Sequence, residues 1–137
     1  MKYYIDTNIF DYSALAHPKY GEACKQIIDD IQNKKIDAHC CLLVPIEILG
    51  SLGKMDFKKA SIAVIAFFSL PINIIPLDET LVRDASQLML ESGVTYDSVH
   101  AAAMRRAGLD TVITEDVDHW SKIKGIKIIR PLEYASG

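Results

Sequence analysis

The sequence offers little that would mark a secreted, membrane-bound or zinc-stapled protein. Its three cysteines, Cys24, Cys40 and Cys41, are odd in number and two of them are neighbours. That excludes a paired disulfide framework and predicts free thiols in a reducing compartment. They also lack the spacing of a zinc set, and no paired histidines supply one. No charged, apolar, small-residue leader opens the chain, because Asp6 interrupts the first apolar run almost at once. A cytoplasmic protein is expected. The longest apolar stretch, Ile62 to Ile75, is broken by Ser69, Pro71 and Asn73 and falls short of the roughly 20 residues a spanning helix needs. It is core or interface, with no membrane association expected.

A basic excess is missing too. Fifteen Lys and Arg against eighteen Asp and Glu leave a formal charge of -3, whereas a phosphate-binding surface usually shows as a positive balance. The deficit does not exclude nucleic acid, since a cluster of site acids awaiting divalent cations makes the formal count too negative. Lys2, Lys54, Lys58, Lys59, Arg105 and Arg106 remain for backbone contacts. No repeat, low-complexity tract or linker divides the chain. A length of 137 residues with 50% hydrophobic content makes one domain, 1–137, with a real core.

What is present is an alternation of strands and helices. The run Tyr3-Tyr4-Ile5 reads as a buried strand that stops at Asp6-Thr7-Asn8. A short helical turn follows over Phe10 to Ala14, and His17-Pro18 begins a longer helix with Ala23, Cys24, Ile27, Ile28 and Ile31 on one face. Ile36 to Cys41 is the second strand. Pro45 fits the first turn of the next helix, which runs to about Leu52. Gly53 stops it, and Asp56 caps another in which Phe57, Ala60, Ala63, Val64, Phe67 and Phe68 lie on more than one side. The hairpin from Pro45 to Leu70 is therefore expected to bury a face against a second subunit or another protein.

Ile72 to Pro76 is a third strand, Asp78 caps a helix that Gly93 ends, and a further helix runs from Asp97 to about Ala107. Thr111 to Thr114 is strand four, Val117 to Ser121 a helical turn, and Ile126 to Ile129 strand five, closed by Pro131. This order predicts a three-layer α/β/α sandwich around a central parallel five-stranded sheet.

In such a sheet all strands deliver their carboxyl ends to one rim, where ligands bind. Asp6 ends strand one there, and Asp116 lies just past strand four. Glu47 stands in the first turns of the helix leaving strand two. Asp97 begins a helix that ends at Gly108, immediately before strand four enters from the opposite rim, so its amino end is at the site rim. Four acids remote in sequence thus meet in space. Two carboxylates about 5 Å apart repel by roughly 3 kcal/mol at an effective dielectric near 20, and a divalent cation relieves that. Hard oxygen ligands point to Mg²⁺ or Mn²⁺, which activate water and neutralise phosphoryl charge in an in-line displacement.

Each acid alone has a plainer reading: Asp6 a turn residue, Asp97 a helix cap, Glu47 and Asp116 solvated acids. Their convergence carries the inference. Asp118 is a further candidate ligand, and Asn8 and Thr114 are candidates to hold the carboxylates. Glu115 is expected to face water. His100, one turn from Asp97, reads first as a satisfied core histidine. His39 reads as strand core, and His17, His119 and Trp120 as surface or packing residues. Neither Ser13 nor Ser98 has a positioned base.

With these residues in view, the chain resembles the PIN domain family, and within it the small VapC toxin ribonucleases, over nearly its whole length. The resemblance rests on Tyr4-Ile5-Asp6-Thr7-Asn8, on Pro45-Ile46-Glu47-Ile48-Leu49, on Tyr96-Asp97-Ser98-Val99-His100-Ala101-Ala102 and on Thr114-Glu115-Asp116. It implies that Asp6, Glu47, Asp97 and Asp116 form an acidic quartet holding Mg²⁺ or Mn²⁺, supported by Asn8 and Thr114. It also implies endoribonuclease hydrolysis of RNA to a 5′-phosphate and a 3′-hydroxyl, homodimers, and a small antitoxin over the site. Cys40-Cys41-Leu42-Leu43 departs from the polar, Ser- or Thr-rich lead into the Glu47 helix that the resemblance suggests. Two other functions compete: a phosphatase with Asp6 as covalent nucleophile, which would want a second acid where Asn8 stands, and a catalytically weak module that binds protein or RNA.

Overall fold

The computed structural model describes residues 1–137. The chain runs through β1 (Lys2–Ile5), α1 (Thr7–Ala14), α2 (Gly21–Gln32), β2 (Asp37–Cys41), α3 (Leu43–Gly53), α4 (Phe57–Ser69) and β3 (Asn73–Ile75). It continues through α5 (Glu79–Ser92), α6 (Tyr96–Arg106), β4 (Thr111–Ile113), α7 (Val117–Trp120), β5 (Lys127–Ile129) and α8 (Pro131–Ser136).

The five strands pair in the order β3-β2-β1-β4-β5, all parallel. Steps from β1 to β3 go one way and the chain then crosses back to β4 and β5. Right-handed crossovers put the helices of the two halves on opposite faces. Accordingly α1, α2, α3, α4 and α8 pack among themselves, while α5 and α6 pair with each other and α6 lies against β2. This is the three-layer sandwich the alternation predicts. Strands β1 and β4 are adjacent at the reversal point, with Ile5 opposite Ile113, so their carboxyl ends leave the sheet side by side.

Burial follows the period of each element. Tyr4, Ile5, Cys40, Cys41, Val112 and Ile113 are fully buried, as covering by helices on both faces requires. In α2 the buried stripe is Ala23, Cys24, Ile27 and Ile31. In α4, Ala60 and Phe67 are buried while Phe57, Ile62, Ile65 and Phe68 stay exposed. That second apolar face has no partner within the chain.

Several boundaries differ from the sequence reading. Helix α1 starts at Thr7 rather than Phe10, because the Asp6 carboxylate accepts the Thr7 N–H and caps it. Helix α2 starts at Gly21, not at His17-Pro18; His17 Nδ1 instead accepts the N–H groups of Lys19 and Tyr20 and shapes the turn before it. Helix α6 starts at Tyr96, with Asp97 inside its first turn rather than at the cap. Pro131 does not close β5 but opens α8, a position where its missing N–H costs nothing.

Candidate active site

A cavity of about 550 Å³ opens at the carboxyl rim of the sheet, with Asp6, Glu47, Asp97 and Asp116 all in its wall beside Thr7, Asn8, Asp11, Ser51, Lys54 and Tyr96. Two of these acids are there because they cap helices. Asp6 caps α1, and Asp116 caps α7 by accepting the His119 N–H. The amino ends of both helices therefore face the cavity with positive partial charge. Glu47 projects from the second turn of α3, and Asp97 from the first turn of α6.

The acids are held unequally. Asp6 Oδ2 accepts Trp120 Nε1–H at 2.8 Å, the Thr114 hydroxyl at 2.7 Å and Asn8 Nδ2–H at 3.4 Å, while Oδ1 takes the Thr7 N–H at 2.7 Å. Glu47 Oε1 accepts the Thr7 hydroxyl at 2.8 Å and His100 Nε2–H at 2.6 Å. Asp116 shares its two oxygens with His119 Nδ1, at 2.9 and 2.8 Å. Asp97 accepts no hydrogen bond from the protein. Burial, with Asp6 and Asp116 nearby, pushes its pKa up to about 7. Burial also pushes Glu47 up, but the hydrogen bonds and charge of His100 outweigh it and leave its carboxyl below the usual value. His100 is the reverse case. Its burial pulls the imidazole down, and its contacts with Cys41, Glu47 and Asp6 hold it well above the ordinary histidine value.

Ligand atoms of Asp6, Glu47 and His100 lie within 4.8 Å of one another, and so do those of Asp97, Asp116 and His119. This donor set fits a hard divalent cation. Carboxylate oxygens dominate it, and Asp97, raised by burial and by the Asp6 and Asp116 charges, is an acid whose ionised form a nearby cation would favour.

Asn8 and Thr114 lie beneath the acids. Asn8 Nδ2 donates to Thr114 Oγ1 at 3.1 Å, its Oδ1 accepts the Glu115 N–H, and Thr114 Oγ1 accepts the Asp116 N–H. The Asp6 loop and the Asp116 loop are thereby tied together. Asp118 is exposed and absent from the wall of that cavity; it lines a neighbouring one that shares Asp116 and includes Glu115 and Arg130. Glu115 does not face water as expected. Only 9% of its side chain is exposed, and Arg130 reaches it at 2.7 Å.

Three contributors escaped the sequence reading. Trp120 is fully buried and donates to Asp6, and Thr7 joins Asp6 to Glu47. His119, exposed as expected, is bound to Asp116. Nothing in local sequence marks Trp120 or His119. Thr7 does carry a signal, since a hydroxyl next to a capping acid is placed to reach a neighbouring helix. His100 is the core histidine expected, yet it also touches Glu47. The apolar Cys40-Cys41-Leu42-Leu43 stretch leaves α3 without a side-chain cap, and Cys41 is spent on a contact with Tyr4.

A parallel sheet whose reversal point gathers four carboxylates into one cavity defines an acid-site α/β protein. The chain belongs to the PIN domain family, whose profile matches residues 3–126. Among curated proteins no sequence matches. Solved structures share the fold at low identity. A chain of VapBC from Salmonella typhimurium, determined with DNA bound, is 18% identical with a TM-score of 0.71, covering 96% of this chain and 98% of that one. A chain of VapBC2 from Rickettsia felis, bound to a promoter fragment, is 17% identical with a TM-score of 0.70, covering 95% and 98%. VapC20 from Mycobacterium tuberculosis, a toxin that cleaves the sarcin-ricin loop, is 15% identical with a TM-score of 0.72, covering 88% and 94%.

Proposed function

We propose that this protein is a Mg²⁺- or Mn²⁺-dependent endoribonuclease, the toxin of a toxin-antitoxin pair. The observation that carries the reading is the meeting of Asp6, Glu47, Asp97 and Asp116 in one cavity, with Asp97 lacking any protein donor. PIN domain membership and likeness to VapBC chains support it.

When bound, a divalent cation supplies charge neutralisation at the phosphoryl oxygens and a more acidic water. The chain's own residues do the rest. Protein donors hold Asp6 at both oxygens and Glu47 at Oε1, so each presents a fixed carboxylate to the cavity. Asp97 gives up its proton as the site is loaded. Lys54, the one cation in the cavity wall, binds a phosphate, and the exposed ring of Tyr96 offers a stacking surface to a base.

Asp6 is poorly placed as a covalent nucleophile. Its side chain is 7% exposed and engaged by four donors, and Asn8 stands where the phosphatase reading wants an acid. The antitoxin is proposed as the protein partner, by analogy with the VapBC complexes. A homodimer through the α3–α4 hairpin is proposed from the exposed Phe57, Ile62, Ile65 and Phe68.

The test is cleavage of RNA by purified protein. Activity lost in EDTA and restored by Mn²⁺ supports the reading. Cleavage that persists unaltered in Asp6→Asn protein overturns it. Protein that binds an antitoxin-like peptide but turns over no RNA with any cation would be the docking module.

A further inference from the structure

His100 is fully buried, yet both ring nitrogens are engaged by groups from other elements. Nε2 lies 2.6 Å from Glu47 Oε1, and Nδ1 lies 2.6 Å from the Tyr4 hydroxyl. That hydroxyl is in turn 3.1 Å from Cys41 Sγ and accepts the Cys41 N–H at 3.2 Å. The chain of contacts runs from β2 through β1 and α6 to the acid on α3. Trp120, the donor to Asp6, packs its ring 6.3 Å from the His100 ring and 6.4 Å from that of Tyr4.

The consequence lies in how Glu47 is oriented. Its Oε1 already has two donors, Thr7 and His100, and a carboxylate oxygen has about two lone-pair directions to give. Oε2 engages no protein donor. A carboxylate on a helix surface otherwise rotates freely about its last torsion, which is broad. Here the imidazole, itself fixed at the far side by Tyr4, removes that freedom.

We infer that His100 is a positioning residue: it clamps Glu47 Oε1 so that Oε2 is presented to the cation, with Tyr4 and Cys41 fixing the ring from behind. This rests on the metal-site reading above. It assigns His100 no direct bond to the cation, because Nε2 is engaged by Glu47 Oε1 at 2.6 Å and lies 3.9 Å from Asp6 Oδ1. Outer partners of this kind are worth about 10–100-fold in metal affinity.

Two variants separate clamping from packing. His100→Gln puts an amide nitrogen where Nε2 stands, while His100→Asn puts one only at Nδ1. Mn²⁺ is titrated into metal-free full-length protein and followed by electron paramagnetic resonance, with thermal unfolding of the metal-free variants alongside. The expected result is Mn²⁺ affinity within about threefold of wild type for Gln and at least tenfold weaker for Asn, with similar melting temperatures for the two. Equal affinity in both variants, or equal loss in both, overturns the clamp while leaving the metal site standing. Wild-type protein that takes up no Mn²⁺ overturns the metal-site reading and the clamp with it. Should the variants not fold, nitrogen couplings on Mn²⁺-loaded wild type with ¹⁵N-labelled histidine decide. A directly bonded imidazole nitrogen overturns the clamp, and its absence supports it.

Discussion

Trp120 donates its indole N–H to Asp6 Oδ2 at 2.8 Å, a contact that spans 114 residues of chain and pins the strand β1 acid to helix α7. The indole is fully buried, so it both fills space and satisfies a charged acceptor. Trp120→Phe removes that donor and leaves a cavity beside the carboxylate. A loss of about 2–4 kcal/mol is expected, from a hydrogen bond to a charged group together with lost packing. Urea unfolding checks the stability. Mn²⁺ affinity should fall as well, because Oδ2 keeps only Thr114 and Asn8; unchanged affinity with lowered stability would reduce Trp120 to a packing role.

Asp97 links metal uptake to pH. Its pKa in the metal-free protein is about 7, raised by burial and by Asp6 and Asp116, whereas the unfolded carboxyl titrates near its ordinary value of about 3.9. Between those two values the folded state holds the extra proton, so metal-free stability falls as pH rises from about 4 to 7. Mn²⁺ must displace the same proton. Apparent affinity should therefore climb by up to about tenfold per pH unit below pH 7 and level off above it. Asp97→Asn should flatten that contribution and stabilise the metal-free protein at pH 8 while abolishing RNA cleavage. An affinity independent of pH between 5 and 7 would show that Asp97 is already ionised.

The strands and the shared rim were legible because they follow from short β-branched and aromatic runs and from the geometry of parallel strands. Asp6 and Asp116 could be brought together from topology on the condition that the chain reverses its winding before strand four, and β4 does pair with β1. What escaped depends on side-chain direction. Whether Trp120 points in or out, whether Thr7 reaches Glu47, and whether Glu115 meets Arg130 are decided by rotamers and by contacts across 114, 40 and 15 residues. The missed α8 has a different cause. Pro131 serves equally to stop a strand and to open a helix, and only the docking of α8 on α2, with Tyr134 donating to Asp30, decides between them.

The exposed face of α4 gives a prediction about assembly. Ile65 is 65% exposed, and Phe57, Ile62 and Phe68 are exposed with it. Surface isoleucine contributes little to the stability of a monomer, so Ile65→Lys should leave intrinsic folding almost unchanged, within roughly 0.5 kcal/mol. In a dimer built on this face it would bury a charge without a partner. Light scattering should then report a monomer for Ile65→Lys and a dimer for wild type. A mutant that stays dimeric places the interface elsewhere.

Asp11 is a second acid in the cavity wall, after Asp97, whose ionised form is poorly accommodated. Ser51 donates to Oδ2 at 2.7 Å, but Oδ1 is buried with no partner. Burial pushes the carboxyl up to about 6, and the Ser51 hydroxyl offsets only part of that, with Glu47 and Asp6 adding to it. Because the folded value exceeds the unfolded one, the folded state holds the proton more tightly, and Asp11 costs stability increasingly as pH rises from about 4 to 6. Asp11→Asn removes the titration, so the melting temperature of metal-free protein should rise relative to wild type at pH 8, with a smaller gain or none at pH 4.5. Ser51→Ala acts in the opposite direction: it strips the one donor from the carboxylate and should destabilise more at pH 8 than at pH 4.5. If both variants shift the melting temperature equally at the two pH values, the Asp11 carboxyl is not protonated in the fold and some other group carries the pH dependence.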